Sequence, residues 1–382
     1  MIDTPSALVR RIHDSGRQVV IVVTGGGSRA ISALLEQPGA SRTVLEASVP
    51  YSAEALTAWL GARPEQFCSE RTARAMAMVA YQRAVRYASN HGEIREMAGI
   101  GCTASLVSDR PKHGEHRIHV ALQTASETQA WSMTLVKGAR DRRQEEDVAA
   151  GILLNAVAKH AGLDEPLDLR LFESERLEEA RCAAPAEWQQ LLSGAMTAIP
   201  ASPNSSASAP KVIFPGAFNP LHDAHRKMAR IASRRLAADV AFEISITNVD
   251  KPPLDFIEMR TRADQFTDAS LWFTRAPTFV EKAAIFPGAT FVVGADTLRR
   301  IAEARYYGDD STACLRAIDT IASRGCRFLV FGRRTGEEVE TLGTLSLPES
   351  LSRISDEVPV DEFLLHVSST ALRVAADERH DE

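Results

Sequence analysis

The alternation of strands and helices in this chain stops once and then begins again. Residues 198–210 read AIPASPNSSASAP, an uncharged stretch dominated by Ser, Ala, Pro and Asn. Such a stretch buries too little surface to offset the entropy of ordering it, so a flexible linker is expected there. A chain of 382 residues also exceeds the size at which a single hydrophobic core keeps growing. Together these features call for two domains: residues 1–165, a connecting segment and linker over 166–210, and residues 211–382.

Both halves read as α/β. In the first, QVVIVVTGGG (18–27) is an apolar, β-branched run ending in glycines, which suits a buried strand and a tight turn. Residues 28–36 read as a helix stopped by Pro38 and Gly39, and residues 43–51 as a strand. A long helix follows over 69–88, then a strand pair over 117–124 and 130–136, and a helix over 144–160. After the linker, strands are expected at 211–216, 240–248, 290–294 and 326–334, and helices at 222–236, 256–267, 297–304 and 369–376. Regular alternation implies a parallel sheet with helices on both faces. Ligands on such sheets bind beyond the carboxyl ends of the strands, which points to residues 215–225, 248–251, 294–296 and 331–334.

Bulk properties exclude several classes. Net charge is -6, and no block of Lys and Arg dominates, so neither nucleic acid nor an anionic membrane is an expected partner. The five cysteines form no CxxC pair and no zinc spacing, and they read as reduced thiols. No apolar run approaches the roughly 18 residues of a membrane span, and the N-terminus lacks the apolar centre of a signal peptide. The expected location is the cytoplasm.

The first strand end of the second half carries the densest chemistry. FPGAFNPLHDAH (214–225) sets Gly216 where a backbone must approach a ligand and Pro220 just before a helix. His222 and His225 are three apart and share one face of the first helical turn. There the free N–H groups and the positive end of the helix dipole favour an anion.

This stretch resembles the G-x-F-x-P-x-H-x-G-H signature of the nucleotidyltransferase superfamily, which includes nicotinamide-mononucleotide, nicotinate-mononucleotide and phosphopantetheine adenylyltransferases and several cytidylyltransferases. The match falls on Gly216, Phe218, Pro220, His222 and His225, with Ala224 in place of the second Gly. The resemblance implies a Rossmann-like domain in which both histidines contact a triphosphate. HVSSTALR (366–373) is similar to the I-S-S-T-x-I-R motif, so Ser368, Ser369, Thr370 and Arg373 are implied as a second phosphate cradle. VVGADTLRRI (292–301) is similar to the G-A-D-x-L segment, which implies Gly294 and Asp296 near the nucleotide, and LVFGRR (329–334) falls where the family has a strand ending next to the adenine and phosphates, which implies Arg333 as a nucleotide contact. Lys251 falls where the family has a basic substrate contact, and Trp272 and Thr278 where mononucleotide adenylyltransferases meet the pyridine ring. The implied reaction joins ATP, with Mg²⁺, to a pyridine mononucleotide. No dedicated protein metal ligands are expected.

Residues 18–162 resemble the C-terminal domain of the CinA family, the nicotinamide-mononucleotide deamidases, through TGGGSRAISALLEQPGAS, VPYSAEAL, AMAMVAYQRA and MAGIGCTAS. The family's S-C-T-G-G carries the supposed nucleophilic Ser, but Val22 and Val23 precede Thr24 here. The family's activating Lys is replaced by Leu56. The expectation is a retained fold without the hydrolysis, with a glycine turn still suited to phosphate. Mononucleotide binding, regulation and dimerisation into a homo-oligomer all stay open as roles for this half.

Overall fold

The computed structural model describes residues 5–88, 96–109, 113–202, 204, 209–248, 253–335 and 338–363. The chain divides into two compact units. The first is Met1–Ser193 with Asp250–Met259, and the second is Gly194–Val249 with Arg260–Glu382. Among the described residues no helix is long and apolar enough to cross a membrane.

The first unit runs α1 (Pro5–Asp14), β1 (Gln18–Thr24), α2 (Ser28–Glu36), β2 (Val44–Ser48), α3 (Ala53–Leu60), α4 (Glu70–Ala88), β3 (Met97–Ser105), β4 (His116–Gln123), β5 (Glu127–Leu135), α5 (Arg142–His160), β6 (Glu178–Ala183) and α6 (Ala186–Ser193). Its sheet order is β2-β1-β3-β4-β5-β6. β1 pairs parallel with β2 and β3, whereas β3 to β6 pair antiparallel. The sheet is therefore mixed. β1 is buried on both faces, which its unbroken β-branched run requires. One face packs α1, α2 and α5 through Leu8, Ile12, Leu34 and Leu153, and the other packs α3 and α4 through Leu56, Leu60, Met76 and Ala80. α5 starts in a reciprocal cap, with Gln144 N donating to Asp141 Oδ1 at 2.8 Å and Asp141 N to Gln144 Oε1 at 2.9 Å.

The second unit runs β7 (Ala198–Pro200), β8 (Val212–Pro215), α7 (Asp223–Leu236), β9 (Val240–Ser245), α8 (Phe256–Ala263), β10 (Ser270–Thr274), α9 (Phe279–Ile285), β11 (Thr290–Gly294), α10 (Ala295–Ile301), α11 (Ser311–Ser323), β12 (Arg327–Phe331), β13 (Arg333–Thr335), β14 (Glu338–Glu340), α12 (Glu349–Arg353) and β15 (Ser355–Val358), with the start of α8 assigned to the first unit. Its main sheet is ordered β15-β12-β11-β8-β9-β10-β7 and is parallel except for β7. Chain order leaves β8 through β9 to β10 on one side, then returns to β11 on the other. The direction reverses between β8 and β11, and a doubly wound sheet opens its crevice there.

The linker expectation needs correction. Residues 198–200 form the antiparallel edge strand β7, with Ala201 N donating to Leu271 O at 2.7 Å and Ser202 Oγ to Ala269 O at 2.8 Å. The open edge of β10 supplies partners that the composition of the segment does not reveal. β6, β10 and α11 also lie outside the expected elements. The expected helix over 369–376 lies outside the described residues.

Candidate functional site

The end of β8 lies at this reversal point. Pro215 leads into a turn in which Gly216 N donates to Glu243 O of β9 at 2.9 Å. A Cβ on Gly216 would stand 2.6 Å from Phe218 Cζ, so only glycine lets the backbone pass that ring. Phe218 has φ of 44°, a left-handed backbone rare for a bulky side chain. Strain of this kind amounts to roughly 1–3 kcal/mol, and burial offsets it. The Phe218 ring is 2% exposed. It packs edge-on against Phe214, Phe242, Phe266 and His225, at centroid distances of 5.3, 5.1, 5.7 and 5.0 Å. Phe218 thus sits in the core beneath the histidines and offers no open face to a nucleotide.

His222 occupies the N-cap of α7 and His225 its third position. The two rings stack at 3.7 Å and 24°. His222 N donates to His225 Nδ1 at 3.3 Å, which leaves the proton of neutral His225 on Nε2. His222 Nε2 is buried with no hydrogen-bond partner among the described residues. Burial, with neighbouring His222 adding to it, pushes the His225 imidazole down to about 3. Burial also lowers His222, against the opposing pull of Asp223. At neutral pH both rings are uncharged N–H donors at a helix N-terminus.

At the ends of β11 and β12, Gly294, Asp296 and Arg333 come together. Arg333 Nη1 donates to Asp296 Oδ2 at 2.7 Å, with both groups about a quarter exposed. A Cβ on Gly294 would stand 2.6 Å from Asp296 Oδ1. β11 and β8 are neighbours, so this pair and the histidine turn belong to the ends of adjacent strands.

Two expected substrate contacts have partners within the protein. Trp272 is 8% exposed and packs edge-on against Phe286 at 5.6 Å, because β10 is an internal strand covered by α9 and its neighbours. Thr278 caps α9, donating to Glu281 Oε2 at 2.6 Å while its own N–H reaches the same oxygen at 2.9 Å. Lys251, Ser368, Ser369, Thr370 and Arg373 lie outside the described residues.

Sequence reading missed the groups that hold the turn. Arg262 Nη1 donates to Ala217 O at 2.9 Å. Gln265 Nε2 donates to Phe218 O at 3.1 Å, and Leu221 N donates to Gln265 Oε1 at 2.7 Å. Behind the sheet, fully buried Glu243 pairs with Lys282 Nζ, 2.7 Å from each carboxylate oxygen. The only sequence signal was the RTRADQF run following α8's start.

The glycine turn of the first unit has a different occupant from the expected phosphate. Gly27 N donates to Glu146 Oε2 at 3.1 Å, and Arg29 N and Ser28 Oγ donate to Glu146 Oε1 at 3.1 and 3.0 Å. Arg142 Nη1 adds a contact to Glu146 at 3.2 Å. A carboxylate from α5 therefore fills the anion position of α2's N-terminus. Val22, Val23 and Leu56, which stand where the family resemblance calls for nucleophile and activator, are at most 1% exposed core residues.

Residues 213–375 match the family described as Cytidylyltransferase-like. The N-terminal region matches solved structures of the CinA superfamily. One is a competence-damaged protein (CinA) superfamily protein from Enterobacter cloacae, 18% identical over 42% of this chain and 94% of that chain, TM-score 0.33. Another is the competence/damage inducible protein CihA from Agrobacterium tumefaciens, 20% identical over 42% and 95%, TM-score 0.30. A third is the competence damage-inducible protein A (ComA) from Klebsiella pneumoniae, 16% identical over 43% and 100%, TM-score 0.32. No curated protein matches the chain. With the histidine turn at the reversal point of its sheet, the C-terminal half of the chain is a cytidylyltransferase-like domain of the nucleotidyltransferase superfamily.

Proposed function

We propose that the second unit is an adenylyltransferase that joins ATP to nicotinamide or nicotinate mononucleotide, giving a dinucleotide and pyrophosphate. One observation carries this reading: two stacked, neutral imidazoles at the N-terminus of α7, beside the β8–β11 reversal point. A 5′-phosphate oxygen of the mononucleotide attacks the α-phosphorus in line. The bond from that phosphorus to the bridging oxygen breaks, and pyrophosphate leaves with the electron pair. A phosphate monoester needs no general base, so catalysis rests on positioning and charge stabilisation. His225 Nε2–H and the His222 ring donate to triphosphate oxygens. Mg²⁺ arrives as the Mg–ATP substrate. Its ligands would be phosphate oxygens and water. Arg373, Ser368, Ser369 and Thr370 complete the phosphate cradle in this reading, and Lys251 meets the acceptor phosphate.

The core position of Trp272 and the capping role of Thr278 favour keeping a second acceptor class in view, such as phosphopantetheine. In the first unit, the glycine turn filled by Glu146 and the apolar residues at 22, 23 and 56 support a fold without deamidation. The test is purified full-length protein with Mg–ATP and each mononucleotide, phosphopantetheine as the alternative acceptor, Mg–CTP as the alternative donor, and pyrophosphate release as the readout. A His222→Ala variant is expected to lose tenfold or more of the rate; a change under twofold removes His222 from the mechanism. ATP binding by calorimetry without turnover on any acceptor would make the unit a nucleotide sensor. Ammonia release from nicotinamide mononucleotide would restore the deamidase.

A further inference from the structure

The turn that carries the histidines is gripped from one side by a single neighbouring segment. Along residues 217–221, Ala217 O, Phe218 O and Leu221 N are bonded to side chains at positions 262 and 265. Gln265 uses both ends of its amide, the nitrogen on Phe218 O and the oxygen on Leu221 N. Those two atoms bracket Asn219 and Pro220, so one carboxamide sets the width of the turn. Arg262 is 6% exposed. A permanently charged guanidinium is rarely buried unless its N–H groups are bonded, and one of them holds Ala217 O. The grip continues into α7, where Arg226 Nη2 donates to Gln265 O at 3.3 Å and Nη1 reaches both Asp268 oxygens at 2.9 and 3.0 Å. The clamped stretch includes Phe218 in its left-handed backbone, the residue most prone to relax once its carbonyl is released.

We propose that Arg262 and Gln265 are positioning residues of the phosphate turn: they hold the Ala217–Leu221 backbone so that His222 and His225 stay stacked toward the transferring phosphoryl group. This rests on the nucleotidyltransferase reading above and adds the group that sets its geometry. Neither side chain touches the reacting atoms, and both act through the backbone. A displacement of about 1 Å in a positioned group is enough to lower a rate by roughly 10²-fold.

The experiment uses the full-length chain and the variants Gln265→Met, Gln265→Glu, Arg262→Met and Arg262→Lys, with pyrophosphate release, ATP calorimetry and thermal unfolding measured on each. Gln265→Met and Arg262→Met are expected to lower kcat about 10- to 100-fold while KM for the acceptor stays within about twofold. Gln265→Glu keeps the acceptor for Leu221 N and loses the donor to Phe218 O, so it falls between wild type and Gln265→Met. Arg262→Lys keeps one donor and recovers most of the Arg262→Met loss. Should Arg262→Met fail to fold, the Gln265 pair decides. The inference is overturned if folded Gln265→Met turns over within about twofold of wild type, or if kcat losses merely follow losses of thermal stability and the conservative variants recover nothing. If wild type shows no turnover on any acceptor, the transferase reading fails. The clamp is then judged by ATP affinity: about tenfold weaker binding in Gln265→Met supports it, and equal binding overturns it.

Discussion

Gly216→Ala tests the packing of the histidine turn with a single methyl group. The added carbon would stand 2.6 Å from Phe218 Cζ, and 2.9 and 3.0 Å from the two Cε atoms. Non-bonded carbons settle at about 3.5–4.0 Å, so roughly 1 Å must be found. Phe218 has nowhere to retreat, because Phe214, Phe242, Phe266 and His225 surround it at 5.0–5.7 Å between centroids. Overpacking of this kind costs about 1–3 kcal/mol. The alternative, a shift of the turn by about 1 Å, carries His225 with it and lowers the rate about 10²-fold. Hydrogen exchange of the β8 and β11 amides reports the stability loss, and pyrophosphate release reports the rate. Gly288→Ala is the control. Gly288 has φ of 74° and nothing within 4 Å of an added Cβ, so the variant pays only the left-handed backbone, about 1–2 kcal/mol, with the rate unchanged. If Gly216→Ala keeps the wild-type rate within twofold and loses under about 0.5 kcal/mol, the aromatic packing does not hold the turn.

Acid lability is expected from the histidines. The folded-state values of His225 and His222 lie below the unfolded 6.5, so the unfolded chain binds more protons below that pH. The stabilisation is complete above about 6.5 and drains away as pH falls toward 3. Denaturant titrations from pH 7.5 to 4 should show that decline, and His225→Gln should flatten part of it. His119 and His160, both lowered by burial to about 4, add to the decline from the first unit. Lys282→Met strands the buried Glu243 carboxylate and should cost about 3–5 kcal/mol, whereas Lys282→Met with Glu243→Leu should recover most of that; a double variant as unstable as the single one would refute the desolvation argument. In the first unit, Arg74 Nη1 lies 2.7 Å from both Asp255 oxygens, and both side chains are under 10% exposed. Arg74→Leu should destabilise that unit by about 3–5 kcal/mol in calorimetric unfolding, and a loss below about 1 kcal/mol would show the pair to be solvated.

Some of the architecture was legible in the residues alone. β11 occupies the expected Thr290–Gly294 and α2 the expected Ser28–Glu36. An apolar, β-branched run bounded by glycine, and a helix closed by Pro38 and Gly39, are local signals that need no partner. The histidine pair was legible for the same reason, since a spacing of three on a helix start brings two rings to one face whatever surrounds them. β7 was not legible, because an uncharged Ser/Ala/Pro segment becomes a strand only when an open sheet edge accepts it. The core packing of Trp272 was not legible for a related reason: an aromatic residue in a short run does not declare which side of a sheet will be covered.

By itself, the sequence determined the two α/β halves, the strand-to-helix turn at 214–225 and the imidazoles loaded onto it, all properties of neighbours within a few residues. Only the tertiary structure decided which distant groups meet each turn: Glu146 comes to the first unit's glycine turn from 118 residues away, and Gln265 grips Leu221 from 44 residues away. Periodicity encodes the face a residue presents, but a hydrogen bond between distant segments depends on loop paths and sheet order that no local pattern records.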